Sequence, residues 1–186
     1  MPPPKETQDA KELLAEDHAA LDKLLKTLLV ALDEDEASTI FQRLDLFWAR
    51  LAMHIRAEHL HLFPAILNRL ENPALQTNES SPAAEIRESI AQLRADHDFF
   101  MHELAAAIKT VRILKDTGHS EADSHLLDEV RTGIAAISKR LESHNEVEEE
   151  LVYLLPVKIL TPTEEKMLAD GIQRELKNLP PRLANR

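Results

Sequence analysis

An all-α fold is predicted, an up-down-up-down four-helix bundle with one additional helix at the C-terminus. Three observations predict it. Apolar residues recur in alternating steps of three and four along four long stretches, and strand-like alternation is absent. The 186 residues include only three glycines among many Leu, Ala, Glu and Arg, a composition that favours helix. Two segments of the first half also reappear in the second half in the same order, as an internal repeat of two helical hairpins would.

The elements follow in order. A first helix is expected from Thr7 to Leu32, closed by the acidic break "DEDEAS". The second runs to Leu70 and should kink or end near Pro64, whose ring removes a backbone donor. The stretch "ENPALQTNESSP" reads as a loop, and Ser81-Pro82 as a helix start, cap followed by first-turn proline. The third helix continues to Lys115 and stops at "DTGHS", where Gly118 suits a C-terminal cap. The fourth runs from Ser120 to Leu155, ahead of Pro156. A fifth opens at "TPTEE", with Thr161 as cap, Pro162 at the first position and Glu164 completing a capping box. Its apolar face, Leu168, Ile172 and Leu176, suits either capping the bundle or dimerisation. Residues 1–160 are thus expected to form the bundle and 161–186 the C-terminal helix and a loose tail.

Composition narrows the function. A formal charge of −11 opposes non-specific nucleic-acid binding, which needs a basic face. No apolar run approaches the roughly 20 residues of a membrane span. The N-terminus lacks the apolar core of a secretory signal, so a cytoplasmic setting is expected. Without cysteine, disulfides, iron–sulfur clusters and thiol catalysis are excluded from this chain.

The helical stripes carry the chemistry. They read Leu14, His18, Leu21, Leu25, Leu28, Leu32; then Phe47, Leu51, His54, Glu58, His61, Ala65; then Ile86, Ile90, Leu93, His97, Phe100, Leu104; and Leu127, Val130, Ile134, Ile137, Leu141, His144, Glu148, Leu151, Leu155. One core position in each is a histidine, followed in the second and fourth by glutamate four residues on. "AEDHAALDKLL" pairs with "RADHDFFMHEL", and "LAMHIRAEH" with "LESHNEVEE". Residues four apart on a helix lie about 40° apart in angle and about 6 Å along the axis, so each His-x-x-x-Glu can aim at one point. Six polar groups then converge inside the bundle: His18, His54, Glu58, His97, His144 and Glu148. Burying them unpaired costs on the order of a few kcal/mol each, and facing carboxylates repel. Cations relieve both penalties, and a nitrogen–oxygen donor set without sulfur suits iron, manganese or zinc. Six donors exceed one tetrahedral zinc and suit two metals. Glu58 and Glu148, on diagonal helices, would bridge them, with an oxide or hydroxide bridge and about one open position per metal for a small ligand.

These residues resemble the hemerythrin-like family, specifically the HHE cation-binding proteins, built from two repeats of a His followed by His-x-x-x-Glu. The resemblance covers Leu13 to Pro156 and implies a four-helix bundle around a non-haem di-iron site used for oxygen carriage, oxygen or nitric oxide sensing, or iron handling. It assigns His18 to the first helix, His54 with Glu58 to the second, His97 to the third and His144 with Glu148 to the fourth. Met101 stands where oxygen-carrying members have a further histidine. Glu148 follows His144 by four residues where they have Asp at five, so reversible oxygen carriage is not expected. The chain also lacks the cysteine-bearing N-terminal segment of relatives that repair iron–sulfur clusters.

The remaining polar residues are read more plainly. His61, about 20° from His54 in angle, faces inward as an extra ligand or a supporting group. His59 and His102 are expected at the periphery; Asp17 and Asp96, each preceding a candidate histidine, are read as facing solvent or else as supporting that histidine, and Glu149 and Glu150 as a solvated face, with Glu149 the fallback donor should the fourth helix be overwound. His119 and His125 fall at a loop and a helix start, and Met101 either only packs or, beside Phe99 and Phe100, lines the pocket. Three functions fit: a stand-alone di-iron protein binding O2, NO or peroxide for sensing, storage or scavenging; a di-iron oxidoreductase reducing peroxide or oxidising ferrous iron; or a metal-free helical interaction module. A homodimer is compatible with each.

Overall fold

The computed structural model describes residues 8–34, 36–71, 82–117, 121–181 and 183. Among them every regular element is helical. Helix α1 spans Ala10–Glu34, α2 Ala37–Ala57, α3 Phe63–Leu70, α4 Pro82–Thr117, α5 Glu121–Val147, α6 Pro156–Ile159 and α7 Pro162–Leu176. The loop "ENPALQTNESSP" beyond Glu71, the Ser81 cap and Gly118 lie outside the described residues, as does His119. No helix among the described residues is long and apolar enough to cross a membrane.

Local chemistry explains the boundaries. Asp9 caps α1, its carboxylate accepting the Glu12 backbone N–H at 2.8 Å, and the expected start at Thr7 lies outside the described residues. The break after α1 is shorter than "DEDEAS" suggests, and α2 is helical again from Ala37. The capping box of α7 forms as expected between Thr161 and Glu164.

The four long rods are α1, α2 continued by α3, α4 and α5. As α1 climbs from His18 to Leu32, the fourth rod descends from Arg131 in α5 to Glu149 just beyond it, since Arg131 bonds the Leu32 carbonyl and His18 bonds Glu149. Two apolar clusters fill the interior. The lower one joins Leu14, Leu62, Phe63, Ile90 and Val152 with α7; the upper one joins Leu25, Phe47, Phe100 and Ile134. The polar level of the bundle lies between them.

Pro64 does not end the second rod. A wide π turn, Glu58–Leu62, precedes it, closed by a bond from the Phe63 N–H to the Glu58 carbonyl. The fourth rod carries the same device over Glu148–Val152, where the Tyr153 N–H reaches the Glu148 carbonyl at 2.8 Å. A π turn adds one residue and advances the inward face. This corrects the stripe beyond each glutamate. Leu62, Phe63 and Ile66 are buried where His61 and Ala65 were expected, and Val152 and Tyr153 are buried beside a half-exposed Leu151.

Helix α7 lies on the bundle, burying Leu168, Ile172 and Leu176 in the lower cluster. Arg50 donates to the Leu176 carbonyl at 3.4 Å and Arg56 pairs with Glu175 at 2.8 Å. The π turn directs His61 onto this helix, where a Cβ on Gly171 would stand 2.7 Å from His61 Nδ1. Helix propensity alone favours alanine over glycine by about 1 kcal/mol, whereas forcing extra volume into a packed contact costs about 1–3 kcal/mol. Gly171→Ala is therefore expected to lower the Tm, and adding His61→Ala to restore it. A stabilised Gly171→Ala protein would show that the contact is unimportant.

Candidate metal centre

The six residues singled out from the stripes meet at one level of the bundle. Glu58 and Glu148 are wholly buried, at 0 % exposure, and the four histidines are buried with them. His18 Nε2 lies 3.1 Å from His54 Nε2, and His97 Nε2 lies 3.0 Å from His144 Nε2. The carboxylates stand between these pairs. Glu58 places Oε1 3.5 Å from His54 Nε2 and Oε2 3.3 Å from His97 Nε2. Glu148 places Oε2 3.2 Å from His18 Nε2 and Oε1 3.1 Å from His144 Nε2. Each carboxylate thus gives one oxygen to each histidine pair. Two groups of donors close enough to hold an ion result, His18/His54/Glu148 and His97/His144/Glu148.

Outer partners fix the rings. His54 Nδ1 donates to Asp17 at 3.1 Å and His144 Nδ1 to Asp96 at 3.3 Å. Arg50 and Arg140 hold these aspartates from the far side. Each arginine lies four residues before its histidine, so the repeat extends to Asp-His paired with Arg-x-x-x-His-x-x-x-Glu. Asp17 and Asp96 are consequently buried and take the supporting role, not the solvent-facing one. Their position beside His18 or His97 on one helix lets them reach the histidine of the neighbouring helix. His18 Nδ1 bonds Glu149 at 2.8 Å and His97 Nδ1 bonds His59 at 2.9 Å. His59 and Glu149 therefore support the centre rather than only the periphery. Each follows Glu58 or Glu148 at the start of a π turn, which brings it towards the adjacent rod. His102 and His125 are exposed as expected, His125 beside Glu129. His61 faces α7 and Glu175, away from the donor cluster. Met101 packs half-buried against the upper cluster.

Tyr153 is the residue that stripe reasoning missed. Its hydroxyl donates to Glu58 Oε1 at 2.6 Å and lies 3.0 Å from His18 Nε2. The signal was slight: it is the chain's one tyrosine, five residues after Glu148, and a regular helix would have turned it aside.

The polar chemistry of the cluster fits cations. The Nδ1 bonds to Asp17, Asp96 and Glu149 fix the outer ring protons, so neutral imidazoles present Nε2 lone pairs inward, towards one another. Glu58 Oε2 and Glu148 Oε1 are buried and accept no hydrogen bond. Ring protons are the alternative counter-charge. Burial opposes a charged His54, yet Glu58, Asp17 and Glu148 outweigh it and push its pKa up to about 10. Burial likewise opposes charge on His144, and Glu148 again raises it. Burial, with His144 and His54 nearby, holds His97 down at about 3 against the pull of Glu58. Burial would raise Glu148, but His144 and His18 keep it well below the usual carboxylate range.

Two expectations follow. His54 titrates near 10 when folded and near 6.5 when unfolded, so its stabilisation is full below 6.5 and lost as pH rises through 10. The metal-free protein should lose Tm across that alkaline window, and metal, by taking the proton's place, should flatten the loss; a metal-free Tm that rises there would contradict this. Second, Asp96→Asn should weaken metal affinity about 10- to 100-fold by releasing the His144 ring, as read by chelator competition. Unaltered affinity would leave the aspartate with only a packing role.

The arrangement has a counterpart among known families. The family profile described as "Hemerythrin HHE cation binding domain" matches residues 9–155. No curated protein and no solved structure matches the chain. The matched span runs from the cap of α1 through Tyr153 and encloses every donor described above. With its helical bundle and its buried His/Glu clusters fitted to a metal, the chain belongs to the hemerythrin HHE cation-binding domain family.

Proposed function

We propose that this chain holds two non-haem iron ions and binds O2, NO or peroxide at them, for sensing, storage or scavenging. The observation that carries this reading is the sharing of Glu58 and Glu148, each with one oxygen towards His18/His54 and one towards His97/His144. Four histidine nitrogens and two bridging carboxylates would hold the pair, with an oxide or hydroxide bridge between them. Manganese and zinc accept the same donor types. When bound, iron supplies a redox-active Lewis acid with positions for a small ligand.

The protein's own contribution is orientation and selection by size. Asp17 and Asp96 hold the ring faces, and the two apolar clusters seal the level above and below. A cavity of about 70 Å³ reaches His18, His54 and His144 between α1 and α5, walled by Leu21, Phe47 and Leu51. A water molecule occupies about 30 Å³ of liquid, so this space suits a two- or three-atom ligand. A groove of about 660 Å³ touches Asp17 and Arg50 beside α7 but reaches none of the six donors.

Purified protein should contain about two irons per chain by elemental analysis, and His54→Ala with Glu58→Ala should reduce that below one. Undiminished iron in the double variant would overturn the assignment. Single- and multiple-turnover assays with peroxide or ferrous iron separate a binding protein from an oxidoreductase.

A further inference from the structure

The two halves of the centre are not equal. In an octahedral shell, neighbouring donors lie about 3.0 Å apart, √2 times a metal–donor distance of about 2.1 Å. Around His18 and His54 five atoms meet that spacing. Their nitrogens are 3.1 Å apart, and His18 Nε2 is 3.2 Å from Glu148 Oε2. His54 Nε2 is 3.5 Å from Glu58 Oε1. The fifth atom is Tyr153 Oη, at 3.0 Å from His18 Nε2, 3.4 Å from His54 Nε2, 3.2 Å from Glu148 Oε2 and 2.6 Å from Glu58 Oε1. Around His97 and His144 there are four: the two nitrogens at 3.0 Å, Glu58 Oε2 at 3.3 Å and Glu148 Oε1 at 3.1 Å.

The repeat explains the difference. Tyr153 stands five residues after Glu148, and Phe63 stands five after Glu58, each closing a π turn. Phe63 takes the place of Tyr153 in the other half, stacking on His97 with rings 6.0 Å apart and 16° from parallel. It offers no donor atom.

We propose that Tyr153 Oη is a seventh protein donor, serving the metal position of His18 and His54, and that the exogenous ligand binds at the position of His97 and His144. This rests on the two-metal reading above. Five protein donors and one shared bridge complete the first shell; four and the same bridge leave the second with one position open. As the oxygen–metal bond forms, the phenol O–H bond now directed at Glu58 breaks and its proton is released to solvent. The cavity between α1 and α5 touches His144 of the open half as well as His18 and His54.

The test loads the full chain with ferrous iron, oxidises it in air, and reads iron content, visible absorption and azide stoichiometry. Wild type should bind about two irons, show a tyrosine-to-iron charge-transfer band, and take about one azide per chain. Tyr153→Phe should keep both irons, lose the band and take a second azide. Phe63→Tyr should intensify the band and block azide. With both irons bound, an absent band, a band unchanged in Tyr153→Phe, or two azides on wild type would each overturn the proposal. A wild-type chain without iron overturns the two-metal reading itself, and elemental analysis identifies that case separately.

Discussion

Two carboxylates without exposure to water, each reaching both sides of a bundle core, set the terms for this molecule. An uncompensated buried carboxylate is among the costliest features a small domain can carry. Glu58 and Glu148 are each left with an oxygen that accepts no hydrogen bond, facing imidazole nitrogens about a hydrogen bond's length away. Protons on His54 and His144 can balance the charge, but only cations satisfy the oxygens and the inward nitrogen lone pairs together. The rest of the bundle is arranged around that requirement.

The support is built twice. Asp17, held by Arg50, orients His54; Asp96, held by Arg140, orients His144. Each aspartate sits beside a donor on one rod and reaches the donor of the next, so neighbouring helices are locked at the level of the centre. The apolar clusters above and below exclude water, which strengthens every interaction between them. The π turns break the repeat's regularity in a useful way. By advancing the face one residue, they bring an aromatic ring under each glutamate: a phenol on one side, a phenyl on the other. Chemical asymmetry thus arises within near-symmetric backbone.

Much of this was legible in the chain. Histidines at apolar positions of four stripes, two followed by glutamate at four, located all six central groups, because a regular helix preserves angular register over a turn or two. The capping box of α7 was readable because a cap is a local interaction. The errors cluster beyond Glu58 and Glu148. His61, Ala65 and Leu151 were assigned inward by a period that the π turns interrupt, while Leu62, Phe63, Val152 and Tyr153 are the residues that turn in. For Asp17, Asp96, His59 and Glu149 the pattern of their own helix favours an outward reading, whereas the partner that holds each belongs to another helix.

The sequence by itself determined the helical class, the twofold repeat, the level at which polar groups enter the core, and the donor types that favour a nitrogen–oxygen metal site. All of these follow from short-range spacing along a rod of known pitch. Tertiary structure alone decided which oxygen faces which histidine pair, which aspartate orients which ring, and that Tyr153 joins the cluster while His61 leaves it. Those outcomes depend on the distance between rods and on a one-residue change of register, and neither is written in the local pattern of any single helix.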